Sequence, residues 1–163
     1  MAALLMNPVT LQPGEALYVP AGRMHAHLHG TGIEVMASSD NVLRGGLTSK
    51  HIAVDELVTV VDFAWGTPTL RRATETAPGV WTYDTPATEF QVTRLEVAPG
   101  AEVALPECHE ARILLVTRGD VTLASGAGVL ELGQGDSAFL TAQDAAVTAT
   151  GDGQAFLASP GIA

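Results

Sequence analysis

The sequence predicts an all-β protein with one short helix, on three observations. Short apolar runs recur along the whole chain, and 17 glycines and nine prolines punctuate them throughout the 163 residues. Hairpin signals stand between successive runs in the C-terminal half, at a spacing that suits a sandwich or small barrel. Only one segment has the length and charge pattern of a helix.

In chain order, a turn at Gln12-Pro13-Gly14-Glu15 leads into an apolar run at residues 16–19, read as a strand. A second turn, Pro20-Ala21-Gly22, precedes a histidine-rich stretch from Met24 to His29. Residues 33–37 read as another strand and residues 38–41 as a loop whose Ser, Asp and Asn side chains can bond their own backbone. The helix is expected at 54–61, with Asp55 and Glu56 at the end where the helix dipole favours them. Residues 64–79, which contain Trp65-Gly66-Thr67-Pro68 and Ala77-Pro78-Gly79, read as a linker or crossover. Strands are then expected at 80–83, 89–97, 112–117, 120–124, 128–132, 137–140, 145–149 and 154–158. Gly119-Asp120 and Gly126 to Gly128 read as hairpin turns. The resulting organisation is 1–63, a connecting 64–79, and 80–163.

Charge and cysteine content exclude several classes of function. A formal charge of −10 argues against nucleic acid and against an anionic membrane as partners, and requires a local basic cluster for any anionic substrate. One cysteine, Cys108, excludes an internal disulfide framework and suggests a reducing compartment. The apolar start lacks a basic region, so no signal peptide is read, and no uncharged run approaches a membrane span. A cytoplasmic protein is the expectation.

The segment from Leu11 to Ala21 echoes the segment from Leu132 to Ala142, each a glycine turn followed by a short apolar strand. The second copy is preceded by several strands and the first by only a few residues. If both are the same unit, the first is the rear half of one.

The chemistry-bearing residues begin at Gly14, which is followed by Pro20, Gly22 and His25 in the spacing G-x5-P-x-G-x2-H. Glycine and proline turn the chain between two strands, and the histidine after the turn points into a barrel mouth, where enclosed β folds place ligands. This spacing resembles the second motif of the cupins, whose final Asn position is His29 here. The resemblance implies a cupin/jelly-roll β-sandwich, one partial cupin unit followed by one complete unit, with the short helix between. His25, His27 and His29 alternate, so a strand would set all three on one face. His25 is the candidate metal ligand, His27 a lining residue of the same pocket, and His29 has no assigned role.

The later unit fits the same template without its ligand types. Gly100, Pro106, Cys108, Arg112 and Gly119 follow the first-motif spacing G-x5-H-x-H-x3-E-x6-G, with Pro, Cys and Arg at the ligand positions. Gly135, Thr141, Gln143 and Ala146 follow the second, with Ala in place of His. The second cupin therefore reads as lacking metal ligands, and Cys108 as a small buried hydrophobe.

From Glu34 to Lys50 the sequence reads EVMASSDNVLRGGLTSK. This stretch, with the turn and histidines before it, is similar to type I mannose-6-phosphate isomerases, C-terminal part, in the form E-x-M-A-x-S-D-N-V-x-R-x-G-L-T-x-K. The resemblance implies interconversion of mannose 6-phosphate and fructose 6-phosphate, an aldose–ketose isomerisation that uses one zinc ion. It implies His25 as a zinc ligand, Arg44 and Glu34 as catalytic residues, and Lys50, His27 and Asp40 as substrate-binding. His27 departs from the family's tyrosine in an H-A-Y triplet. Arg44 and Lys50 would supply the local positive charge that a sugar phosphate needs on an acidic chain. The family's other zinc ligands, a Gln-x-His pair and a glutamate, lie in an N-terminal region with no counterpart in these residues, so the zinc site is expected to be incomplete. A fragment, a truncated or split gene, and a chain completed by a partner subunit all fit. Exposed strand edges would favour a homodimer. The alternative is a non-catalytic cupin remnant that binds a sugar phosphate or metal, or acts only in dimerisation.

Overall fold

The computed structural model describes residues 6–39, 42–46, 48–144 and 146–161. The chain divides into two compact units. The first comprises residues 1–32 and 37–70, and the second residues 33–36 and 71–163.

The first unit holds a short strand, β1 (Glu15–Leu17), and the helix α1 (Val54–Val60). A turn closed by Glu15 N–H donating to the Gln12 carbonyl at 2.9 Å feeds β1. The helix forms where acidic residues at its front complement the dipole, although Ala53 at its N-cap offers no side-chain cap. The Thr59 hydroxyl donates back to the Glu56 carbonyl at 2.7 Å, within the last turn of the helix. None of this unit's described residues is fully buried. Phe63 and Trp65, just beyond the helix, are 76% and 95% exposed.

The second unit is an antiparallel sheet in the order β2-β3-β4-β9-β6-β7, with β5 paired to β9 and β8 to β6. Its strands are β2 (Leu70–Ala77), β3 (Val80–Tyr83), β4 (Phe90–Val97), β5 (Val103–Ala104), β6 (Arg112–Ser125), β7 (Gly128–Leu132), β8 (Ser137–Leu140) and β9 (Val147–Pro160). Alternation along β4, β6 and β9 sends Leu95, Val97, Leu114, Val116, Val121, Ala149, Ala155 and Leu157 into one apolar core. Among the described residues the protein is nearly all-β with a single helix, as the cupin-type reading requires.

Residues 33–37, expected as a strand, form none, and three further expectations change. Residues 64–79 are not simply a connection, because β2 occupies half of the segment and pairs with β3. Ala77-Pro78-Gly79 is the turn of that hairpin, so a signal read as a linker is a strand reversal. The breaks expected near Gly119 and between 149 and 154 are also absent: β6 and β9 each run 14 residues and pair along almost their whole length. Gly119 lies inside this ladder next to a register shift between Val116 and Arg118, a bulge rather than a hairpin. Its φ is +65°, and a Cβ there would sit 2.0 Å from the Asp152 carbonyl oxygen, so two backbones approach where no side chain fits. β5 is too short to leave a signal.

A loop after β8 is organised by Asp144. Its carboxylate accepts from the Thr141 N–H at 3.0 Å and hydroxyl at 2.8 Å, and from the Ser125 hydroxyl at 3.2 Å. The Thr141 bonds, then Ser125 and the Arg112 charge, hold this carboxyl below its ordinary 3.8.

Candidate functional site

The turn before His25 is fixed from a distant part of the first unit. Gly22 has φ +81°, and a Cβ on it would come 2.9 Å from the Val60 carbonyl oxygen at the end of α1. The Gly22 carbonyl accepts from the Asp62 N–H at 2.9 Å. Arg23 pairs with the Asp62 carboxylate at 3.1 Å and also donates to the Ala64 carbonyl. Asp62 in turn accepts from the Ala64 N–H at 2.8 Å. Through these contacts the helix exit holds the turn that presents the histidines.

His25 and His27 follow this turn. Both rings are exposed, with centroids 5.8 Å apart and planes tilted by 57°. The segment from Arg23 to Leu28 is not a strand, because no ladder partner organises it among the described residues. The i, i+2 spacing still brings the two imidazoles together. His25 Nδ1 lies 3.5 Å from the Arg23 carbonyl, at the long limit of a hydrogen bond. A carbonyl beside one ring nitrogen is the arrangement that orients a ligating histidine. Imidazole nitrogens are donors that a borderline-soft divalent cation such as zinc accepts. His29 is exposed at the bend that ends the segment.

The structure also brings the arginine loop to this segment. A Cβ built on Gly45 would meet the Met24 side chain, at 2.3 Å from its terminal methyl carbon. Met24 therefore lies over Gly45, and the chain neighbours of this contact are His25 on one side and Arg44 on the other. A side chain at 45 would displace the Met24 methyl from this position. Arg44 is exposed. Lys50 is exposed as well, and its backbone N–H donates to the Thr48 hydroxyl oxygen at 3.1 Å. Glu34 is exposed and belongs to the short 33–36 segment of the second unit. Asp40 lies outside the described residues.

Arg23 and Asp62 were not singled out in the sequence. Arg23 occupies a free position of the turn motif, and Asp62 stands 39 residues away, so no local pattern joins them. Cys108 is half-buried rather than fully buried, its Sγ 3.9 Å from the Glu110 carbonyl.

No family model matches the chain. Curated relatives do. It is 36% identical over 142 residues to mannose-6-phosphate isomerase 1 of Arabidopsis thaliana, covering 87% of this chain and 33% of that protein. It is 38% identical over 153 residues to mannose-6-phosphate isomerase of Escherichia coli K12, covering 93% of this chain and 38% of that protein. Its homologues are mannose-6-phosphate isomerases. The fold agrees: the crystal structure of apo mannose 6-phosphate isomerase from Salmonella typhimurium superposes with a TM-score of 0.64 at 31% identity, covering 78% of this chain and 32% of that one. The match lies in the C-terminal part of the isomerases. The chain spans about a third of the length of the curated relatives it matches. Among the described residues, no helix is long and apolar enough to cross a membrane.

Proposed function

We propose that this chain carries one part of the catalytic site of a zinc-dependent mannose-6-phosphate isomerase. The observation that carries the reading is the Met24–Gly45 contact, which sets the loop bearing Arg44 against the segment bearing His25. His25 holds the zinc ion, with His27 beside it as a pocket residue. Bound zinc supplies Lewis-acid polarisation of the sugar oxygens. Arg44 places a fixed positive charge where negative charge develops as a proton moves between C1 and C2. Glu34 exchanges that proton, which needs a carboxylate within hydrogen-bond reach of the substrate in the assembled site. Lys50 binds the phosphate as a point charge, and Asp40 binds sugar hydroxyls. Both cations answer the requirement for local positive charge on a chain of net charge −10.

The test supplies upstream of this chain the Gln-x-His and Glu segment of the family pattern, and assays conversion of mannose 6-phosphate to fructose 6-phosphate. Turnover is expected, with Arg44→Ala lowering kcat by about 100-fold or more. Undiminished turnover in Arg44→Ala removes its catalytic role. No turnover in the completed protein favours the non-catalytic remnant.

A further inference from the structure

The second unit keeps the spacing of a metal-binding cupin, with Pro106, Cys108, Arg112 and Ala146 at the four ligand positions. The structure brings these positions to one end of the sandwich. β5 pairs with β9 so that Val103 faces Ala149 and Ala104 faces Thr148. The Leu105 N–H continues that register onto the Val147 carbonyl at 3.0 Å, the residues next in the chain to Pro106 and Ala146. Arg112 opens β6 opposite Leu140, at the end of β8.

The Arg112 side chain fills the space among them. It is 1% exposed, among the most buried large side chains of the described residues. One terminal nitrogen donates to the Pro106 carbonyl at 2.7 Å and the other to the Asp144 carbonyl, two residues before Ala146. Nε is buried without a hydrogen-bond partner among the described residues. A buried guanidinium is costly unless oxygen atoms and opposite charge surround it. Two carbonyls and the Asp144 carboxylate, itself tied to Thr141 and Ser125, supply that environment.

A divalent metal does not fit here. Pro106, Arg112 and Ala146 offer no ligand side chain, Cys108 is turned toward the Glu110 carbonyl, and a resident cation repels a second one. We propose that the Arg112 guanidinium stands in place of the metal ion of this unit, a permanent internal cation. It gathers through two backbone carbonyls the loops that a metal would gather through side chains, and it closes the second unit to divalent cations. This is independent of the catalytic reading of the first unit.

Two measurements on the full chain test it. In a His25→Ala, His27→Ala background, calorimetric titration with zinc or cobalt is expected to show no stoichiometric binding and no rise in Tm. One equivalent bound there would overturn the proposal. In the otherwise unaltered chain, Arg112→Met removes the hydrogen bonds to the Pro106 and Asp144 carbonyls and the charge they surround, and is expected to lower Tm by about 5 °C or more. Arg112→Lys keeps the charge and is expected to retain part of that stability. A Met variant that melts with the wild type, or Met and Lys variants that fall equally, would overturn the role of the cation.

Discussion

Gly119→Ala tests the packing of the second unit at its tightest point. Gly119 has φ +65°, a conformation that costs a residue with a Cβ about 1–2 kcal/mol. The added Cβ would stand 2.0 Å from the Asp152 carbonyl oxygen and 3.0 Å from its carbon, both backbone atoms of β9. No rotamer change relieves that clash, so β6 and β9 must separate locally, which adds about 1–3 kcal/mol of overpacking cost. The sum is about 2–5 kcal/mol, a large share of the roughly 5–15 kcal/mol that stabilises a typical domain. For a unit of this size the melting temperature should fall by about 10 °C or more. Gly126→Ala is the control, since a Cβ there meets nothing within 4 Å. The assay is thermal unfolding followed by circular dichroism. A Gly119→Ala protein that melts within a degree or two of Gly126→Ala would refute the close approach of the two strands.

Two further outcomes follow from the contacts. Asp144→Asn should flatten the loss of stability on acidification. The folded carboxyl lies below its ordinary 3.8, chiefly through the Thr141 bonds, so its contribution is present above that value and is lost as pH falls through the lower folded one. Melting temperatures at neutral and acid pH should therefore differ less in the variant than in the wild type, and an unchanged difference would contradict the assignment. Arg23→Ala removes the Asp62 pair and the bond to the Ala64 carbonyl. It should weaken metal binding several-fold without abolishing it, by loosening the turn that presents His25, and unaltered affinity would show that the clamp has no part in the site.

The central strands of the second unit are legible because they alternate with period 2 and bury one face, as Leu114 and Val116 do before the bulge in β6 and Val121 and Leu123 after it. Glycine is where the reading fails. Gly119 marks a bulge and Gly79 a hairpin, and sequence alone does not separate a turn from a close approach. The histidine row fails differently. A strand exists only when a neighbour completes its ladder, and 23–28 lacks one among the described residues, so alternation alone did not make it a strand. The helix was legible from Asp55 and Glu56 at its start. Of the candidate site, the His25–His27 pair followed from spacing, whereas the Arg23–Asp62 clamp and the Met24–Gly45 contact are long-range and have no local signature.

Zinc affinity of the full chain, measured for the wild type and for His25→Ala and His29→Ala, bears on the site most directly. Imidazole 25 acting as a ligand predicts binding that survives loss of His29 and collapses on loss of His25. Equal zinc affinity in the wild type and the His25→Ala protein would contradict it.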